Sequence, residues 1–294
     1  MMPSLSKNRV IVLVLVLAAL GLGIGLFFLR PSETPEVPVV EMPEEKPPFV
    51  HAVIGTSGEG RSIDAYTYGD GENHLLFVGG VHGGYEWNSV LLAYEFMDYF
   101  EENPDIIPSG VRLTVIPSAN PDGVYAVVGA EGRFAAVDVP AGVADGVGRL
   151  NANDVDLNRN FDCKWQPESM WRGTTVNAGT SAFSEPEAQA IRDFVVASDP
   201  SAVVFWHSQS NAVYASECEA GVLPQTLTLM NTYAGAAGYP AVESFDFYEI
   251  TGDAEGWLAS INIPAITVEL ATHESIEWAK NLEGVTALLS HYAP

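Results

Sequence analysis

The 294-residue chain carries 38 acidic against 13 basic residues, a formal charge of −25, and is 47% hydrophobic and 10% aromatic. That is enough apolar material for a full core in one or two domains. The acidity argues against nucleic acid, whose phosphates need a basic face; it suits a cationic substrate or simply a solvated acidic surface.

Lys7 and Arg9 precede Val10 to Leu29, a run without a charged or strongly polar side chain. It is about long enough to cross a bilayer as a helix, and it is apolar on every side, unlike a core helix. The positive flank keeps residues 1–9 cytoplasmic and sends the remainder across, although Arg30 weakens that asymmetry. No small-x-small cleavage site and no lipidation Cys follow, so residues 10–29 read as an uncleaved signal-anchor, with a cleaved signal peptide and secretion as the alternative. Residues 30–49 form a linker: Pro31, Pro35, Pro38, Pro43, Pro47 and Pro48 alternate with Glu33, Glu36, Glu41, Glu44 and Glu45. Such a stretch buries no core and stays extended.

Residues 50–294 read as one catalytic-size domain. Ile63 to Tyr68, Leu75 to Val78, Val111 to Ile116, Ala202 to Trp206 and Ala265 to Leu270 have strand character. Trp87 to Phe100, the segment opened by Ser184-Glu185-Pro186-Glu187, Pro224 to Ala237 and Ile276 to His291 have helical character, and Ser184 with Glu187 predicts a capping box. Strands alternating with long helices predict an α/β fold with a mixed or mostly parallel sheet.

The chemistry clusters at strand ends. Leu75 to Val78 runs into Gly79-Gly80-Val81-His82-Gly83-Gly84-Tyr85-Glu86, a glycine-bent loop before a helix. His82 and Glu86 there suit zinc, which takes N and O ligands; a capping Glu beside an ordinary loop His is the other reading. Asn120-Pro121-Asp122-Gly123 is by itself a turn. Arg149 to Phe161 packs amides, Asp and Arg together too densely for core, and Arg forks bind carboxylates; a hydrogen-bonded surface loop is the other reading. His207 emerges after Trp206, where a lone His is commonly structural. Glu269 is a carboxylate in an otherwise apolar strand, costly unless paired or functional, and a general base with a raised pKa is its functional reading.

Taken in order, the loop from Gly79 to Glu86, Asn120-Pro121-Asp122-Gly123, Asp156-Leu157-Asn158-Arg159-Asn160-Phe161, His207-Ser208 and Thr267-Val268-Glu269-Leu270 resemble the zinc carboxypeptidase family, in wording its bacterial murein-peptide branch. The resemblance implies a mixed, mostly parallel eight-stranded sheet flanked by helices and one zinc per chain. It implies His82, Glu86 and His207 as metal ligands, Glu269 as the base that activates water and protonates the leaving amine, and Arg149 as the group that polarises the scissile carbonyl. It further implies that Asn158 and Arg159 clamp the substrate's terminal carboxylate and that Tyr248 caps it. By its spacing from Tyr248, Glu255 falls where family members that cut after Lys or Arg carry an acidic residue, which implies preference for a basic side chain; Asp253 and Glu255 as helix caps or solvent-facing groups are the alternative. Cys163 and Cys218 each follow one of these segments and are expected to form a disulfide on the same rim.

Three features depart from the family pattern. Three residues, not two, separate His82 from Glu86; the segment from Arg149 to Asn158 is short; and Asp154 stands where the bacterial branch has Gly, in a left-handed turn. The expected activity is hydrolysis of a C-terminal amide bond in peptides or peptidoglycan stem peptides. A deacylase of the aspartoacylase type and an inactive peptide-binding relative are the alternatives. A serine hydrolase is excluded, because Gly55-Thr56-Ser57-Gly58-Glu59 lacks the second spaced Gly of a nucleophile elbow.

Overall fold

Alternation along the central strands decides which helices cover which face. The computed structural model describes residues 48–294 and, upstream of them, Leu15 alone. Apart from Leu15, the apolar run at 10–29 lies outside the described residues, as does the linker up to residue 47. Among the described residues no helix is long and apolar enough to cross a membrane.

In chain order the elements begin with strands β1 (Val50–Thr56), β2 (Ser62–Tyr68) and β3 (Asn73–Val78), then helix α1 (Trp87–Glu102), β4 (Val111–Ile116) and α2 (Pro121–Val128). Next come β5 (Glu168–Trp171), β6 (Thr174–Asn177), α3 (Pro186–Ser198), β7 (Ala202–Ser208), β8 (Ala212–Ala215), β9 (Glu217–Cys218) and β10 (Gly221–Val222). The chain closes with α4 (Pro224–Ala237), β11 (Ala241–Val242), α5 (Ala254–Ser260), β12 (Ala265–Leu270) and α6 (Trp278–His291). Eight strands form one sheet in the order β1-β2-β4-β3-β7-β12-β8-β11. The middle of it, β4-β3-β7-β12, is parallel, while β1, β2 and β8 attach antiparallel.

Side chains on successive residues point to opposite faces of a strand. Leu75, Phe77, Val204 and Trp206 therefore meet Phe96 of α1, Tyr233 of α4 and Leu288 of α6 on one face. Leu76, Val78, Val203 and Phe205 meet Ile191 of α3 and Trp257 of α5 on the other. Both faces of the parallel core are thus covered, which explains why these strands read as unbroken apolar runs. At the domain's start, Phe49, assigned to the linker from its sequence, packs its ring 5.5 Å from Tyr66.

The capping box expected at Ser184 does not form. Pro186 occupies the first turn of α3, with Glu185 at the N-cap making no side-chain cap bond. Ser184 Oγ donates to Glu185 Oε1 at 2.7 Å, and Glu187 reaches out of the helix to accept from Gly58 N at 2.9 Å. These carboxylates serve neighbouring loops, which offered them better donors than their own helix.

Candidate metal and active site

The parallel register brings the C-terminal ends of β3, β7 and β12 together. Glu269 on β12 lies directly beside His207 on β7. The loop after β3 returns alongside: Gly79 N and Ala119 N bond to Ile116 O and Gly79 O, stitching it to the start of α2. Its turn at Gly83 has φ +47°, and Gly83 to Glu86 form a 3-10 turn that leads into α1. That turn absorbs the extra residue between His82 and Glu86. A Cβ at Gly83 would meet Gly148 O at 2.6 Å, and one at Gly84 would meet Gly123 O at 2.6 Å, so only glycines let this loop lie on those backbones.

His82 Nδ1 lies 2.8 Å from Glu86 Oε1, His207 Nδ1 lies 2.9 Å from Glu86 Oε2, and the two Nδ1 atoms are 3.3 Å apart. Ligand atoms of these three buried residues lie within 4.8 Å of one another. Behind them, His82 Nε2 faces Asp156 Oδ1 and His207 Nε2 faces Glu255 Oε1, each at 3.4 Å, and neither Nε2 completes a hydrogen bond. Two imidazoles with Nδ1 inward and a carboxylate behind each Nε2 could hold a metal ion and give it outer support. Two N and one carboxylate O suit zinc.

Burial alone would raise the Glu86 carboxyl, yet His82 and His207 hold it well below the ordinary carboxylate range. His207 moves the other way: burial would lower it, but Glu86 and Glu255 raise it well above its usual value. Glu269 is pushed up to about 8, first by burial and then by the Glu86 charge, and its Oε2 has no donor.

Arg149 is buried and fixed: its Nε and Nη2 donate to Asp156 Oδ2 at 3.1 and 2.8 Å, and its guanidinium sits 4.5 Å over the Trp171 ring. Nη1 is left over, 3.9 Å from Glu86 Oε1. Asp156 pulls a second duty, accepting from Asn158 N at 3.1 Å to start the 3-10 turn Leu157–Arg159. Burial would raise the Asp156 carboxyl, and the Arg149 charge holds it well below its ordinary value.

Asn158 and Arg159 lie in the same cavity of about 610 Å³ as His82, Glu86, Arg149, His207 and Glu269. Asn158 Oδ1 accepts from Ala254 N at 2.9 Å, while Arg159 spends Nη1 on Asn158 O and Nη2 on Met170 O, leaving a buried Nε without a partner. Tyr248 lines the cavity, half-buried, with Phe245 4.9 Å away. Asp253 is the helix cap, accepting from Gly256 N at 2.7 Å; Glu255 is not a cap or solvent-facing, since it is buried and accepts from Thr267 Oγ1 at 2.9 Å. Cys163 and Cys218 are bonded, with Cα atoms 6.0 Å apart, and Cys163 lines the cavity. Asp154 has φ +58°, the left-handed turn expected for it.

Sequence reasoning passed over Asp156 as an outer support, although a carboxylate flanked by Val155 and Leu157 is the signal that marks it. It also passed over Tyr85, Trp171, and the Ser208–His273 pair at 2.7 Å, which no spacing announces.

Comparison with known proteins places the chain in a family. A profile described as zinc carboxypeptidase matches residues 39–285. Gamma-D-glutamyl-L-diamino acid endopeptidase 1 of Lysinibacillus sphaericus is 24% identical over 76% of this chain and 61% of its own length, so the chain spans under two thirds of that relative. Murein peptide amidase A of Escherichia coli K12 is 29% identical over 74% of this chain and 80% of its own. Among solved structures, the murein-tripeptide amidase of Escherichia coli O157 superposes with a TM-score of 0.60 at 24% identity, covering 83% of this chain and 92% of the other, which shows the shared fold.

Proposed function

The chain belongs to the zinc carboxypeptidase family, and from that premise we propose that it is a zinc-dependent hydrolase of a C-terminal amide bond in peptides or cell-wall stem peptides. The observation that carries this reading is the convergence of His82, Glu86 and His207 beside Glu269, with Arg149 in the same cavity. Similarity to a murein peptide amidase supports the stem-peptide substrate class.

His82 Nδ1, His207 Nδ1 and the Glu86 carboxylate would hold the metal, with Asp156 and Glu255 fixing the two rings from behind. Zinc bound there supplies Lewis acidity, polarising a carbonyl and easing loss of a proton from water. Glu269 Oε2, free of donors, takes the proton from the attacking water and returns it to the leaving amine; a pKa near working pH suits both steps. Arg149, locked by Asp156, presents Nη1 to the charge that develops on the carbonyl oxygen, in place before reaction and so at little reorganisation cost. Asn158 and the Arg159 Nε bind the terminal carboxylate, and Tyr248 covers it. Glu255, a carboxylate lining the same cavity, favours by its charge a Lys, an Arg or the free amine of a diamino acid over an apolar side chain.

An inactive peptide-binding relative would have no use for a donor-free Glu269. Residues 10–29 anchor the chain, and the catalytic part works outside the cytoplasm. The test uses full-length protein from the membrane fraction, with C-terminal and γ-glutamyl peptides ending in Lys, Leu or Glu. Cleavage lost to a chelator and restored by zinc, with Lys ahead of Leu, is the expected result. Chelator-insensitive cleavage removes zinc from the reading, a preference for Leu removes Glu255, and release of the protein by carbonate removes the anchor.

A further inference from the structure

Glu269 Oε2 has no donor to aim it, so the backbone at the end of β12 sets where that carboxylate lies. Leu270 closes the strand beside Ser208, and the turn 271–277 follows. Thr272 and Ser275 on that turn are exposed. Glu277 secures one part of it: Oε2 accepts from Ala271 N at 2.7 Å and from the Tyr239 hydroxyl at 2.9 Å. The part toward the metal ligands is held by Asn88.

Asn88 lies in the first turn of α1, just after Glu86, and is fully buried. Its Nδ2 donates to Thr272 O at 2.6 Å and to Ser275 O at 2.9 Å. Carbonyls only accept, so the amide nitrogen must face them and the amide oxygen must face the other way. There Oδ1 accepts from Ser208 Oγ at 3.0 Å, the hydroxyl next to His207. The Ser208 oxygen, its own proton committed, accepts in turn from His273 Nδ1 at 2.7 Å. One side chain thus joins the helix behind Glu86, the strand end behind His207 and the turn behind Glu269.

We propose that Asn88 is a positioning residue, holding the strand end that carries Glu269 at a fixed separation from the two segments that carry Glu86 and His207. The inference rests on the hydrolysis proposed above. Glu277 cannot set that separation, because none of its side-chain partners, Ala271, Tyr239 and Lys280, lies on a ligand-bearing segment. Asn88 does, through both ends of one short and rigid amide. A general base must lie within hydrogen-bond reach of the proton it takes, so a misplacement of about 1 Å costs on the order of 10²-fold in rate.

The test uses the full-length zinc-loaded protein, the peptide ending in Lys, and the changes Asn88→Ala and Asn88→Asp. Alanine removes all three bonds; aspartate keeps the acceptor for Ser208 but sets an oxygen against two carbonyls. Both should lower kcat by about 10–10²-fold with KM and zinc content unchanged, the pattern of a misplaced base rather than of lost binding. In the Glu269→Gln background the same changes should cost nothing further, because no base is left to misplace. Independently of turnover, hydrogen exchange should quicken over residues 270–277 of Asn88→Ala while β4 keeps its protection. If Asn88→Ala does not fold, Ser208→Ala, which cuts only the tie to β7, carries the same test with a smaller loss. An unchanged kcat, a loss that multiplies with that of Glu269→Gln, or exchange that rises equally in β4 and in the turn overturns the proposal. A wild type that cleaves no peptide sinks the proposed hydrolysis instead, and the exchange pattern still upholds or overturns the hold of Asn88 on the turn.

Discussion

Two buried polar clusters flank the loop of Arg149 to Asn153, and they differ in one respect. In the outer cluster every carboxylate oxygen has a donor. Asp122 accepts from Ser57, Arg61 and Glu59 N; Glu187 accepts from Gly58 N and Asn151; Glu185 accepts from Ser184, Asn151 and Asn153. In the inner cluster the Glu269 Oε2 has none. Burial and charge are shared, and satisfaction of the carboxylates is not; Arg61 Nε is the outer cluster's one group without a hydrogen bond. A carboxylate oxygen left unpaired at a cost of a few kcal/mol marks the cluster that works on something outside the chain.

The sharpest way to break that contrast is Glu269→Gln. The amide keeps the volume but accepts no proton, so turnover should fall by about 10²–10⁴-fold while the zinc content measured by metal analysis stays at the wild-type level. Near-normal turnover would return Glu269 to the structural class. The matching change in the outer cluster is Asp122→Ala. It removes one of three carboxylates around Arg61 and the acceptor of Ser57 Oγ and Glu59 N, and should destabilise by about 1–3 kcal/mol in urea unfolding, with turnover per folded molecule intact. A drop in turnover per folded molecule would make the outer cluster part of the site.

A smaller effect separates the clusters by pH. Glu269 in the folded, metal-free chain titrates at about 8 against 4.5 when unperturbed. The folded state therefore keeps a proton that the unfolded state has lost. Its contribution to stability is complete below about pH 4.5 and is lost as pH rises toward 8. Metal-free Glu269→Gln should thus melt progressively higher than metal-free wild type between pH 5 and pH 8. A difference that is flat or that shrinks with pH would contradict the unpaired Oε2.

The central strands and the inward residues on them were legible because apolar runs ending in His or Glu are improbable unless the ends are used. β3, β7 and β12, with His207 and Glu269, could be read directly. The edges were not: β1 is mostly exposed, and β8 and β11 are four and two residues long, too short to show a period. Phe49 was hidden because its partners, Tyr66 and Tyr68, lie on another strand. The Ser184 capping box failed for a related reason: a local pattern says nothing of donors that arrive from residues 58 and 151. Asp156 was readable in kind but not in role, since its partners Arg149 and His82 meet only in space.

The contact of Gly83 on the backbones of Gly123 and Gly148 involves no side chain on either part. The spacing between the loop bearing His82 and the segment bearing Arg149 is therefore set by main-chain thickness, a fixed spacer that no rotamer change can retune. Substitutions in the cavity walls or on the rim leave that gauge untouched. The same contact gives the site its stiffness: displacing the His82 loop pushes directly on the segment that carries Arg149, so the two halves of the chemistry keep their separation or lose it together.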